Sequence, residues 1–203
     1  MSTIQASTSR KLKGKDLITI GIFSAVYFVI NFAFMLMGGI HPIMWIMMPG
    51  LIALFTGVPY MIMVSKVQKP FAVLIMGLIT GLIYFVTGMF TVVILITLAS
   101  VCILAEAVRY ASKYKSFAGN AVSFAIYSVG MIGSPLPIWL FKDSFFAQIS
   151  QQGMSPEYLS VLSKLATDGM LAVMILAPVV LAIIGALIAR TLFRKHFVKA
   201  GIV

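Results

Sequence analysis

An all-α fold, a polytopic bundle of six transmembrane helices with both chain ends on the cytoplasmic side, is predicted by three observations. The composition is too oily for water, the apolar runs have the length of membrane spans, and basic residues alternate from loop to loop. Of the 203 residues, 61% are hydrophobic and 10% charged, and the mean hydropathy is +1.08. A soluble domain has about a quarter of its residues charged and roughly half apolar. A globule of the present composition could not cover its own surface with polar groups.

A helix needs roughly 20 apolar residues to cross about 30 Å of hydrocarbon. Such runs fall at residues 17–37, 42–64, 71–87, 90–107, 117–141 and 169–193. None carries Lys, Arg, Asp or Glu deep in its interior, and none shows the alternation of a membrane β-strand. The first run follows a basic stretch, Arg10, Lys11, Lys13 and Lys15, as a signal peptide would. It is too long for one and has no small-residue cleavage site behind it, so it reads as a retained helix. Residues 1–10 read as a disordered cytoplasmic leader, and 11–203 as a single six-helix membrane domain.

Charge supplies the orientation. With six spans, Arg10, Lys11, Lys13, Lys15, Lys66, Lys69, Arg109, Lys113, Lys115, Arg190, Arg194, Lys195 and Lys199 fall on one side, and only Lys142 and Lys164 on the other. Basic loops stay in the cytoplasm, which places both termini there. The net charge of +10 then reports topology and contact with anionic lipid. Nucleic acid is not an expected partner, because that needs a basic face on a soluble module.

Most connections are tight, at 38–41, 65–70 and 88–89, but the outer segment 142–168 is long. Within it, Ser155-Pro156-Glu157 has the form of a helix start, with Ser as cap and Pro at the first helical position. Leu159, Leu162 and Leu165 or Ala166 follow at helical spacing. A short amphipathic helix on the outer surface is expected, either a lid over a site or a connector resting on the bilayer. Trp45 and Trp139 fall near the outer boundary and Tyr110 and Tyr114 near the inner one, where they serve as interfacial anchors or as ligand contacts. Cys102 is the single cysteine, so the chain can form no internal disulfide.

Nothing in the pattern points to catalysis. The acids are Asp16, Glu106, Asp143, Glu157 and Asp168, all near span ends or in loops, and His41 and His196 lie on opposite sides of the membrane. Paired intramembrane aspartates, a His-Glu-x-x-His motif and a true phosphate loop are missing; Lys13-Gly14-Lys15-Asp16 lacks the glycine spacing and the preceding strand. No catalytic residue, metal ligand or cofactor is expected. Transport or ligand binding remains. A self-contained secondary transporter shows internal repeats and ion-coupling groups at mid-membrane, and this sequence shows neither, so another subunit is expected to supply energy. The open alternatives are a stand-alone transporter of a small solute and a membrane assembly protein with no transport role.

Three stretches carry a family resemblance: the opening from Lys11 to Ala25, Gly57-Val58-Pro59-Tyr60-Met61 with Lys66-Val67, and the ending Lys195-His196-Phe197-Val198-Lys199-Ala200-Gly201. They resemble the Trep_Strep family of bacterial integral membrane proteins over essentially the whole chain from Lys11. That family looks like a branch of the substrate-binding S components of energy-coupling factor (ECF) transporters. The resemblance implies a multi-pass protein of the bacterial cell membrane that captures a water-soluble vitamin or precursor at the outer face. It further implies docking on a transmembrane coupling subunit that carries two ATPase subunits. S components use a small-xxx-small motif on the first helix for that docking; Gly21 and Ala25 match it here, with Gly in place of the usual first Ala. Their ligand sites lie under the outer loops, which by depth nominates Asn31, His41, Trp45, Tyr84, Thr87, Tyr127, Trp139, Lys142, Asp143 and Asp168. Gly133-Ser134-Pro135-Leu136-Pro137 is a candidate pocket wall, since irregular backbone at this depth is tolerated where it lines a cavity. By analogy the ligand is a small ring compound such as a vitamin B6 form or hydroxymethylpyrimidine.

Overall fold

The structure, a computed structural model, describes residues 11–87 and 91–193. The leader, the turn at 88–89 and the C-terminal Arg194, Lys195, His196 and Lys199 lie outside the described residues. The helices run α1 Gly14–Ile40, α2 Pro42–Lys66, α3 Ala72–Val86, α4 Val92–Ala111, α5 Phe117–Ser128, α6 Pro137–Leu140, α7 Lys142–Gln151, α8 Pro156–Leu165 and α9 Asp168–Leu192, with a 3-10 turn at Val129–Gly133 extending α5. Among the described residues there is no strand. The helices α1, α2, α4 and α9 are long and apolar enough to cross a membrane, while α3 and the extended α5 are apolar but shorter.

The bundle is dressed for lipid. Large aliphatic side chains stand outward, Ile18 at 65% exposure and Val29 at 67% among them. Polar side chains turn inward and satisfy themselves locally. The buried hydroxyls of Ser24, Thr56 and Thr80 each donate to the carbonyl four residues back, at 2.7, 2.7 and 2.9 Å. With no hydrophobic drive between helices in lipid, close backbone approach supplies the packing. The crossing of α2 and α9 shows it: a Cβ on Gly57 would stand 2.5 Å from the Gly185 carbonyl carbon, and one on Gly185 would stand 2.7 Å from the Leu54 oxygen.

The connections distinguish two ends. A basic end holds the starts of α1, α3 and α5 and the finishes of α2, α4 and α9. The opposite, cap end carries α6, α7 and α8. A large core that includes Tyr27, Tyr60, Phe124 and Tyr127 fills the bundle. A second core of Ile46, Ile132, Ile138, Ile149, Leu162 and Met174 sits beneath the cap.

Three expectations are corrected here. The apolar run 117–141 is not one continuous helix. Beyond Ser128 it tightens into the 3-10 turn and breaks at residues 134–136, because Gly133 is pressed against Thr97 and Ile94 of α4 and Pro135 and Pro137 cannot donate backbone hydrogen bonds. The outer turn at 38–41 shrinks to His41 alone, since α1 continues through Ile40. The segment 142–168 folds as two helices rather than one, the expected amphipathic helix, α8, and α7 before it, anchored through buried Leu162 and Ile149. The helix start at Ser155 is observed as expected: its Oγ accepts from the Tyr158 N–H at 3.2 Å.

Candidate functional site

The nominated residues separate into three groups by depth. The deepest is in the bundle. Asn31 is fully buried. Its Nδ2 donates to the Tyr27 carbonyl at 3.1 Å and its Oδ1 accepts from the Tyr84 hydroxyl at 3.2 Å. The amide thus has both a backbone partner and a polar side-chain partner, which offsets the cost of burying it among apolar groups. The Tyr84 hydroxyl also reaches Met35 Sδ at 3.0 Å. Tyr127 lies edge-on to Tyr27, ring centroids 5.5 Å apart, and 5.4 Å from Tyr60. Its hydroxyl is buried beside that of Thr80. The neighbouring Thr80 hydroxyl donates its own proton to Met76.

The second group forms the cap. Trp45, near the start of α2, donates from Nε1 to Ser134 Oγ at 3.1 Å and packs against Phe145 of α7, centroids 5.7 Å apart. Its Cα and Cβ press on Gly38, where an added Cβ would come within 3.3 Å. The same Gly38 offers its carbonyl to the Tyr158 hydroxyl of α8 at 2.6 Å. Trp139 donates to the Thr167 carbonyl at 3.1 Å, tying the α6 turn to the start of α9. Both tryptophans are half-buried parts of the cap. Burial also pushes the Tyr158 hydroxyl up to about 12.

The third group does not converge. His41, Thr87, Lys142, Asp143 and Asp168 are all exposed. His41 caps α2 through Nδ1, which accepts from the Ile43 N–H at 3.2 Å, and Thr87 bonds back to Ile83 at 2.9 Å. Asp168 is not the cap of the last helix; that place belongs to Thr167, whose Oγ1 accepts from Met170 at 3.2 Å. Sequence reasoning passed over Ser134, Phe145 and Tyr158. Ser134 stood inside the flagged Gly-Ser-Pro turn, and Tyr158 follows the Ser155 cap by three residues, on a helix where only the leucines were counted.

The basic end holds a second assembly that sequence reasoning missed. Arg109, counted in the sequence only among the basic residues of one side, is fully buried. Its Nη2 donates to the Val67 carbonyl at 2.8 Å and its Nε to Asn120 Oδ1 at 3.2 Å, and Nη1 stands 3.8 Å from Glu106 Oε2. The Glu106 carboxylate accepts from the N–H groups of Phe71 at 2.9 Å and Val73 at 3.1 Å. It thereby caps α3 where Phe71 takes a left-handed φ of 71°. Asp16 pairs with Lys69 at 2.6 Å, so the loop between α2 and α3 is held from α1, α4 and α5 together. Glu106, three residues before Arg109, was the available signal.

On α1, Gly21 has no atom of the described residues within 4 Å of where its Cβ would be, and Ala25 is exposed. The small pair is not spent on packing inside this chain. Among the described residues no three His, Cys, Asp or Glu side chains gather as a metal site.

A helical bundle with an aliphatic outer surface, its polar groups turned inward or gathered at two ends, is an integral membrane protein. The chain belongs to the Trep_Strep family of hypothetical bacterial integral membrane proteins, whose profile it matches over residues 14–199. No curated protein and no solved structure matches the chain.

Proposed function

We propose that the chain is a six-span S component of an ECF-type importer in the bacterial cell membrane, with the basic end in the cytoplasm and the cap end outside. The observation that carries the proposal is the contrast between a bundle closed at one end by a separate aromatic cap and an α1 face where, among the described residues, Gly21 meets no neighbour and Ala25 is exposed. The cap supplies a place to hold a ligand. The open face on Gly21 and Ala25 supplies a place for a coupling-subunit helix, since small residues at i and i+4 let two backbones approach. The acids stand toward the two ends, Asp16 and Glu106 at the basic end and Asp143, Glu157 and Asp168 at the other. That distribution favours energy supplied by a partner's ATPases over ion coupling within this chain.

The ligand in this reading is a small, weakly charged ring compound, of the size of a vitamin B6 form or hydroxymethylpyrimidine. It enters beneath α7 and α8 and stacks on Trp45. Tyr84 and Asn31, or the Tyr127 hydroxyl, then furnish hydrogen bonds from below. The two tryptophans of the sequence both lie in the cap, so intrinsic fluorescence reports directly on this site.

The test has two parts. Ligands that co-purify with the detergent-solubilised chain are identified by mass spectrometry, and the leading one is titrated against tryptophan fluorescence. Saturable quenching is expected, whereas no saturable binding of any small molecule would point to an assembly protein. Replacing Gly21→Leu together with Ala25→Leu is expected to abolish co-purification with the coupling subunit and leave the titration unchanged. Concentrative uptake by liposomes holding this chain alone would establish a stand-alone transporter instead.

A further inference from the structure

The helices α3 and α4 are pinned together near the basic end and part toward the cap end. The pins are the Glu106 carboxylate on the Phe71 and Val73 N–H groups and the contact of Gly77 with Cys102, which leaves no room for a Cβ on the glycine. At Gly81, one turn further, a Cβ would meet Leu98 Cδ2 at an ordinary 3.6 Å. Beyond it Phe85, 65% exposed, and Leu95, 49% exposed, line the two sides of the gap. The result is a groove of about 530 Å³ along the membrane-facing side of the bundle, lined by Leu78, Gly81, Leu82, Phe85, Leu95 and Ala99 among others. It is comparable in volume to ligand pockets of about 300–1,000 Å³. Every lining side chain is aliphatic or aromatic except the thiol of Cys102.

The lining selects the occupant. Water has no polar partner there, and apolar cavities of this kind stay dry. A vitamin-like ring compound would leave its polar atoms unpaired. A partner helix is about 10–12 Å across and needs free small residues to approach closely. Here Gly77 is taken by Cys102 and Gly81 faces Leu98, unlike Gly21 on α1. A hydrocarbon chain is slender enough to follow the wedge and needs no hydrogen bond. The bilayer also has reason to send one in. With 15 residues at about 1.5 Å each, α3 reaches about 22 Å, short of the roughly 30 Å hydrocarbon layer. Lipid beside it must bend or thin to cover the exposed Phe85 and Val86.

We infer that the groove between α3 and α4 is a binding site for one phospholipid acyl chain. The bound chain completes the bundle wall directly in front of Tyr127, whose ring edge stands 3.8 Å from the Gly77 Cβ position.

The test uses the full chain in nanodiscs of a phospholipid that carries a photoactivatable diazirine midway along one acyl chain, with adducts mapped by peptide mass spectrometry. Adducts on Leu78, Leu82, Leu95 and Ala99 are expected at several times the level on Ile183, Ile184 and Leu187 of α9, which are comparably exposed aliphatic residues. Ala99→Phe and, independently, Gly81→Leu fill the groove without meeting backbone, and each is expected to bring the excess down to the α9 level. Even labelling of the two faces in the unmodified chain would overturn the inference, as would an excess that survives both filled variants. Loss of the excess on adding the coupling subunit would assign the groove to a partner helix and overturn it as well.

Discussion

The two ends of this bundle are closed by different chemistry. At the basic end, α1, α4, α5 and the α2–α3 loop are knotted by charge: Asp16 on Lys69, Glu106 on two backbone N–H groups, and Arg109 on Val67, Asn120 and Glu106. At the cap end, the turn at 134–136, α6 and α8 are held by neutral bonds of Trp45, Trp139 and Tyr158, and α7 and α8 pack into the small core around Leu162. Breaking a buried charged contact strands an ion in a low-dielectric interior, which costs about 3–5 kcal/mol. Breaking a neutral hydrogen bond costs about 0.5–1.5 kcal/mol net. One end therefore resists opening more than the other, a difference that the proposed entry of a ligand from the cap side would use.

Removing the guanidinium tests the difference at its largest. Arg109→Met is expected to destabilise the bundle by about 3–5 kcal/mol, because Glu106 loses its counter-charge in a buried site. Thermal melting in detergent measures it, and a shift no larger than that of a cap variant would erase the contrast. Adding Glu106→Gln removes the stranded charge, and its amide oxygen still accepts from one of the two α3 N–H groups, which bond separate carboxylate oxygens in the native chain. The double variant is therefore expected to melt above Arg109→Met alone. At the cap, Trp45→Phe keeps the ring that faces Phe145 and loses the bond to Ser134, an expected loss of about 1 kcal/mol. It should weaken ligand binding by up to about tenfold and leave the melting transition nearly in place.

The bundle was legible because the chain alternates oily runs with basic loops, and hydrocarbon allows few other structures. The break in α5 was legible only as a hint. Gly133 and two prolines flagged an irregular turn, but its place depends on how closely Thr97 and Ile94 of α4 crowd the glycine. The site was half legible. Asn31, Tyr84 and Trp45 stood out as polar or amphipathic groups at the right depth, and all are engaged in the structure. His41, Lys142, Asp143 and Asp168 shared that depth and remain on the surface, since depth along a helix does not reveal which face is turned inward. Arg109 was read by its charge, which grouped it with the other basic residues of one end and concealed its burial. Whether a residue near a span end is solvated or knotted is decided by partners such as Val67 and Asn120, on neighbouring segments that periodicity cannot place.

The smallest effect is the most specific to the cap. Tyr158→Phe deletes one hydrogen bond to Gly38 and should loosen the cap by about 0.5–1.5 kcal/mol, read as faster proteolytic nicking at the exposed Gly153 turn between α7 and α8. The same bond carries a pH signature. The Tyr158 hydroxyl is raised to about 12 when the cap is closed, against about 10 for a free tyrosine. A group whose closed-state value is raised lends its full contribution below the free value and loses it as pH climbs through the raised one. The protection that Tyr158 gives against nicking should thus be constant up to about pH 10 and fade between about 10 and 12, while Tyr158→Phe shows no such fade. Taking the ratio of the two nicking rates at each pH cancels the protease's own profile and the titration of surface lysines. A flat ratio through this window would show that the cap is held without the Tyr158 latch.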